Sequence, residues 1–349
     1  MEKLLSVLNR IPEYSVLLQA MQNRECAAVT GIGQINRSHL IAYLHHLLHR
    51  PTVILCQDDA TAKRLQEELA AFLGETAPIL PSREFTLYDS AVVSRGWEQK
   101  RLRQLFDLRA GNTQLQIIPY SALSQRTMPV DVLLQSAFVL EVGKAYPIDW
   151  LLQQLVCCGY SRCAMVEGPG QFAVRGGIVD IFSPASDRPV RCEFFGDELD
   201  TMGYFDPETQ RRTDNIDSVV ILPVGETQPS LHPEGIAGLC ADLNRLIARQ
   251  KRRKNINESL IATLAKDLEK YENGMSNPAS DRYMALIYPE MATAMDYIPE
   301  NALVILCDQG SLRRSANTRC DEMGMQLDSL LQGGLVAGEL CDYVCQWED

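Results

Sequence analysis

Gly170-Gln-Phe-Ala-Val-Arg175-Gly176-Gly177-Ile-Val-Asp180-Ile-Phe182, followed by Pro189-Val-Arg191-Cys-Glu-Phe-Phe195-Gly-Asp197, is the stretch on which the reading of this chain turns. Both runs are rich in strand formers and are separated by a turn-forming segment, Ser183-Pro-Ala-Ser-Asp-Arg188. Successive side chains of a strand point to opposite faces, so Val190, Cys192 and Phe194 share one face and Arg191, Glu193 and Phe195 share the other. The first set is the natural core face. Phe195 is then a large aromatic beside an arginine on the charged face, the composition of a protein-interface anchor. A second reading stands beside it: Phe195 lies under a helix or loop, and Arg191 pairs with Asp180 across the hairpin. A bulge at Gly176-Gly177 would leave the facing of Arg175 unfixed.

Outward from this stretch, Met202–Phe205 and Val219–Leu222 read as further strands, with Asp206-Pro-Glu-Thr209 as a tight turn and a helix near Ile148–Cys157 before them. Close strands with short turns predict an antiparallel sheet. The charge shifts at the same place. Residues 1–130 carry 14 Lys/Arg and 12 Asp/Glu, residues 131–226 carry 7 and 15, and residues 227–349 carry 12 and 18. Residues 131–226 are therefore expected to form a domain of their own.

The flanks read differently. Thr52–Cys56 is a short apolar strand, after which Asp58 or Asp59 caps a helix bearing Leu65, Leu69, Phe72 and Leu73, with Gly74 as its stop. A helix around Trp97–Leu108 precedes a strand ending at Gln116–Pro119. This alternation predicts a parallel sheet with covering helices. Helices near Ala237–Arg249 and Ile256–Tyr271 then lead to Ala302–Leu306, which reads as a buried strand of an α/β sheet.

Composition narrows the function classes. The chain has 349 residues, 46% of them hydrophobic, and a net charge of −12. No apolar run reaches membrane-spanning length. The opening segment is broken by Glu2, Arg10 and Glu13 and lacks a leader's apolar core, so a cytoplasmic location is expected. An acidic chain lacks the footprint of a DNA-coating protein, and Lys251-Arg252-Arg253-Lys254 reads as a solvated helix end. The 11 cysteines show no paired zinc spacing and are expected as free buried thiols.

Two motifs bear on nucleotide chemistry. Val29-Thr-Gly31-Ile-Gly33-Gln-Ile-Asn36-Arg37-Ser38 is expected where a first strand turns into a helix, and it approximates a phosphate-binding loop. Gly31 and Ser38 fit its outer positions, but Asn36 replaces the second glycine and Arg37 the lysine, whose compact ammonium a forked guanidinium does not replace. The companion strand should end in Asp-Glu to hold Mg²⁺, and here Leu306 is followed by Cys307-Asp308. His39, His45, His46 and His49 are expected on the polar side of a helix whose apolar face is Leu40, Ile41, Leu44, Leu47 and Leu48. His45 and His49 lack a third metal ligand.

The segment GQFAVRGGIVDIFSP…RCEFFGDELDTMGYFDPETQR closely resembles the domain shared by the excision-repair protein UvrB and the transcription-repair coupling factors. LPSREFTLYD at 80–89, Arg95-Gly-Trp-Glu-Gln-Lys-Arg-Leu102, Asp281-Arg-Tyr-Met-Ala-Leu-Ile-Tyr288 and Asp296-Tyr-Ile-Pro299 favour the coupling factors, as does the degenerate 31–38 loop. The resemblance implies a degenerate P-loop, RecA-like α/β lobe built from residues 1–130 and 227–349, with an inserted α+β antiparallel domain at 131–226. It implies a non-catalytic adaptor that recruits UvrA to stalled RNA polymerase for nucleotide excision repair. Arg175, Arg191 and Phe195 match the family's UvrA-docking positions, and strand parity predicts that Arg191→Glu or Phe195→Ala spares the fold. Family members continue into an ATP- and Mg²⁺-dependent translocase acting on duplex DNA, so no cofactor is implied for this chain. The rival reading is an ATP-dependent translocase component working through the 31–38 loop, with Gly31, Gly33, Arg37 and Ser38 on the nucleotide and Asp308 in the acidic position.

Overall fold

A computed structural model describes residues 7–8, 11–89 and 95–347. Residues 1–6 and 9–10 of the segment read against a leader lie outside the described residues. The chain is a mixed α/β protein. It opens with helices α1 (Pro12–Gln22) and α2 (Gln34–Leu48), then strand β1 (Thr52–Cys56) and helix α3 (Asp59–Leu73). Asp58 is the cap, its carboxylate accepting the Thr61 N–H at 2.7 Å, and Gly74 ends α3 in the left-handed region at φ 78°. Helix α4 (Gly96–Arg109) and strand β2 (Leu115–Pro119) follow.

The middle of the chain supplies β3 (Phe138–Glu141), α5 (Ile148–Cys157), β4 (Ser161–Arg162), β5 (Gln171–Arg175), β6 (Ile178–Ile181), β7 (Val190–Phe195), β8 (Glu198–Phe205), β9 (Arg212–Asn215) and β10 (Ser218–Ile221). Helices α6 (Gly235–Lys251) and α7 (Glu258–Glu272), strand β11 (Leu303–Leu306) and helix α8 (Gln309–Gln332) complete it. Strands β11, β1 and β2 form a parallel sheet in that order, with Thr52 opposite both Leu303 and Leu115. A strand from late in the chain thus pairs with one from its beginning.

Three expectations are corrected. No strand forms among residues 25–33: residues 22–31 are exposed, and the three-residue apolar run Ala27-Ala28-Val29 joins no ladder. Strand β11 is not a buried core strand. It lies at the sheet edge, which leaves Val304 36% and Leu306 51% exposed. The Val219–Leu222 run is not in the large antiparallel sheet either. As β10 it pairs with β3 in a separate two-stranded ribbon, Val219 opposite Leu140.

The large sheet has the order β4-β5-β6-β7-β8-β9. Its hairpins turn on Gly176-Gly177 and Gly196-Asp197, two-residue loops whose first glycine has φ 61° and 63°. That is the type II′ pattern, which suits the twist of the flanking strands. Gly176-Gly177 is therefore a tight turn and not a bulge. The bulge lies in the β7–β8 hairpin: Glu193 faces Thr201 while Phe194 faces Leu199, so Asp200 is the extra residue. It puts Leu199 and Met202, three apart, on the same buried face. There they meet Phe172, Val179, Val190 and Cys192 of the sheet and Leu151 and Leu155 of α5. Val166, Ala173, Phe182 and Phe205 form a smaller cluster on the other face.

Candidate functional site

The second face of the six-stranded sheet carries the candidate residues. Across it, Ala173, Asp180, Arg191 and Gly203 stand in one register row. Asp180 is 1% exposed and accepts from Arg175 Nη2 at 2.5 Å and from Arg191 Nε and Nη2 at 2.7 and 2.9 Å. A buried carboxylate needs such partners, because desolvating it unpaired is costly. Arg191 also donates from Nη1 to the Gln210 carbonyl oxygen at 3.1 Å and from Nη2 to Gln210 Oε1 at 3.3 Å. Its guanidinium lies 4.5 Å from the Phe205 ring centre. The hydrogen bonding it donates to Asp180 holds its pKa above the ordinary arginine value, against partial burial. Both sequence readings of this strand are thus partly realised: Arg191 does pair with Asp180, and its side chain is only 15% exposed.

Phe195 differs. It is 84% exposed, at the end of β7 and on the face of Arg191 and Glu193. Nothing covers it among the described residues. Arg175 falls between the two: its side chain is 48% exposed and makes the single bond to Asp180. Arg212 adds a third guanidinium, donating to Glu193 Oε1 and Thr201 Oγ1 at 3.1 Å each. It lies over Gly203, where a Cβ would collide with it. The face therefore holds three guanidiniums against the carboxylates of Asp180 and Glu193, in a segment with a charge excess of 15 acids over 7 bases.

The degenerate loop is elsewhere. Gly31, at φ 76°, and Gly33 lie on an exposed approach to α2. Ser38 is fully buried, and its hydroxyl donates to Glu68 Oε2 at 2.5 Å. Arg37 does reach the strand-end motif, lying against Cys307, whose thiol burial pushes up to about 11 despite that arginine. Asp308 caps α8: its carboxylate accepts the Ser311 N–H at 3.1 Å and the Ser311 hydroxyl at 2.8 Å. Those bonds hold its pKa below the usual carboxylate range, burial opposing, with Arg314 and Arg37 assisting. A cavity of about 390 Å³ at the carboxyl ends of β1 and β2 is walled by Gln57, Ser121, Ser311 and Arg314, and no residue of the 31–38 loop lines it. The histidine face is also corrected: His39 stacks on Phe72 at 5.0 Å and His45 Nδ1 lies 3.0 Å from Thr52 Oγ1, while Leu47 is 42% exposed. Of the thiols, Cys56, Cys158, Cys192 and Cys307 are buried, Cys26 is exposed and the rest are half-buried.

Sequence reasoning missed a second charged cluster. Arg101, fully buried, faces Glu226 at 3.2 Å and donates to the carbonyl oxygens of Pro81 and Ala122 at 3.1 and 2.9 Å. Arg83 meets Asp281, Glu98 at 3.5 Å and Glu226 at 3.7 Å. Thr227 donates to Asp281 at 2.5 Å, and Arg282 and Tyr283 reach Asp267 at 2.9 and 2.6 Å. Burial lowers the Arg101 pKa more than Glu226 restores it. Around Arg83, Asp281, Glu226 and Glu98 outweigh burial and raise it. The signal was present in part: Arg83, Glu98, Arg101 and Asp281 are among the charged residues of the 80–89, 95–102 and 281–288 segments.

A family model described as the UvrB interaction domain matches residues 138–226, the span from β3 through β10 to Glu226. The chain is 27% identical over 321 residues to the transcription-repair-coupling factor of Bacillus subtilis, covering 89% of this chain and 27% of that protein. It is 29% identical over 308 residues to that of Myxococcus xanthus, covering 84% and 25%, and 29% identical over 254 residues to that of Haemophilus influenzae, covering 73% and 21%. The chain spans about a quarter of the length of the curated relatives it matches. Residues 138–226 thus match the UvrB interaction domain, within a chain similar through most of its length to the transcription-repair-coupling factors.

Proposed function

We propose that this chain is a non-catalytic adaptor of transcription-coupled nucleotide excision repair, and that its domain at 131–226 docks UvrA. The observation that carries this reading is Phe195, 84% exposed on the same sheet face as the Arg175–Asp180–Arg191 cluster, inside the matched interaction domain. A bare aromatic on the same sheet face as exposed and half-exposed guanidiniums is the composition of a binding anchor. Residues 1–130 and 227–349 are read as one degenerate P-loop, RecA-like lobe around the inserted domain. The pairing of β11 with β1 and the approach of Arg37 to Cys307 and Asp308 support that reading. Stalled RNA polymerase and duplex DNA belong to this scheme as partners of a longer protein of this kind.

The test is capture of purified UvrA by the whole chain and by Phe195→Ala. The chain should retain UvrA and the variant should lose most of it; equal retention by both removes the docking face as placed. The rival nucleotide reading has its own check. Ser38 is spent on Glu68 and Asp308 on its helix cap, so millimolar ATP with Mg²⁺ should leave the melting temperature unchanged. A rise of several degrees would reinstate a nucleotide site, since a ligand of the native state must stabilise it.

A further inference from the structure

The two arginines held by Asp180 are not equivalent. An arginine has five N–H donors. Arg191 makes two bonds to Asp180 and two to Gln210, its ring-facing side rests on Phe205, and its side chain is 15% exposed. Little of it is left to meet another molecule. Arg175 makes one bond, from Nη2, and is 48% exposed. Nη2 keeps a second hydrogen, and the Nε–Nη2 and Nη1–Nη2 pairs are the edges with which a guanidinium grips a carboxylate by two parallel bonds, so one such edge stays available for a planar acceptor.

We propose that Asp180 and Arg191 are positioning residues and that Arg175 is the guanidinium that meets the partner, on an acidic group lying next to the socket that takes Phe195. This rests on the reading of 131–226 as a UvrA-docking domain. Gln210 and Phe205 fix Arg191, Arg191 fixes the Asp180 carboxylate, and Asp180 fixes the inner nitrogen of Arg175. The order matters because an exposed arginine otherwise loses rotamer freedom on binding, and a preset one has already lost it. Asp180 is negative, so its field alone weakens attraction to an acidic partner. Positioning and field therefore have opposite signs: neutralising Asp180 weakens binding if it positions Arg175 and strengthens binding if only its charge counts.

The experiment is a double-mutant cycle on the whole chain, with the Kd for purified UvrA measured by calorimetry and the melting temperature recorded for each variant. Arg175→Ala should lose about 30-fold in affinity with unchanged melting, the loss common to a truncated arginine anchor. Asp180→Asn should lose about 5-fold in the parent and less than 2-fold in the Arg175→Ala background, since coupled residues depart from additivity. Arg191→Lys keeps the charge and removes the fork. It should show the same pattern, and it decides the matter alone if Asp180→Asn melts too low to measure. Equal losses in both backgrounds, or tighter binding by Asp180→Asn, overturn the positioning role. Parent-like affinity for both Phe195→Ala and Arg175→Ala overturns the docking reading itself, a separate outcome.

Discussion

The molecule holds two arginine–carboxylate clusters of similar chemistry and opposite setting. At the junction where the segment matched at 138–226 returns to the parallel-sheet region, Arg83, Arg101, Glu226 and Asp281 are all within a tenth of full burial. They tie together four segments of the chain, the farthest partners 198 residues apart. On the sheet face, one buried carboxylate holds one nearly covered arginine and one half-exposed one. Bonding pattern alone does not separate a structural cluster from a recognition cluster. What separates them is whether any donor still points outward. In the junction none of the guanidiniums does, and the cluster can only hold the fold. On the sheet face Arg175 does, and Phe195 stands bare on the same side.

The largest expected effect comes from breaking the junction. Glu226→Ala leaves Arg101 buried with no carboxylate, and removing one partner of a buried pair costs about 3–5 kcal/mol. The melting temperature should fall on the order of 10 °C, by the size scaling for domains of this length. A fall of less than about 2 °C would mean that water already compensates Arg101. Arg191→Glu comes next, and here the structure reverses what strand parity suggests. The substitution places a second carboxylate against Asp180 and removes the Gln210 and Phe205 contacts. A loss of about 3 kcal/mol is expected, so absent UvrA binding by this variant would not by itself locate the interface. Retained melting would show that Arg191 is looser than its four bonds imply. Phe195→Ala is the clean contrast. With the ring 84% exposed, melting should move by less than about 1 °C. UvrA binding should weaken by about 2 kcal/mol or more. A core phenylalanine would instead cost about 3–5 kcal/mol of stability.

Much of the sheet was legible because its physics is local. Val190 and Cys192 facing inward follow from alternation. The turn at Gly176-Gly177 was read instead as a bulge within one strand, although its first glycine tolerates the positive φ that the turn requires. The Asp200 bulge was not legible, since a bulge depends on the partner strand's register and not on its own sequence. Phe195 was placed on the correct face. The saturation of Arg191 was not readable, because Phe205 at the end of β8 and Gln210 in the turn after it reach it from another strand and its turn. The junction cluster escaped for the same reason on a larger scale: Arg101 and Glu226 are 125 residues apart. The missing strand before Gly31 shows the converse, a local pattern that tertiary pairing did not take up.

A third cluster, built on the exposed Asp89, sets the lower limit of the comparison. Asp89 receives Lys266 Nζ at 2.8 Å and Lys270 Nζ at 3.1 Å, joining the 80–89 segment to α7. The hydrogen bonds from Lys266 and Lys270 hold its pKa down at about 2, with slight burial opposing. A carboxylate whose folded pKa lies below the unfolded value of about 3.9 stabilises the fold above that value, and the contribution fades as pH falls from about 4 through about 2. Exposed pairs contribute about 0–1 kcal/mol, and salt screens them. Asp89→Asn should therefore lower the melting temperature at pH 7 by about 2 °C at most. The gap between parent and variant should stay constant from pH 7 to pH 5, narrow below pH 4, and shrink at 1 M salt. Paired melting curves at pH 7, 5, 4 and 3 would test this. A gap that widens towards acid would mean that Asp89 titrates above its unfolded value, reversing the assignment. A gap as large as that of Glu226→Ala would mean that the surface tie between segment 80–89 and α7 carries as much of the fold as the buried junction does.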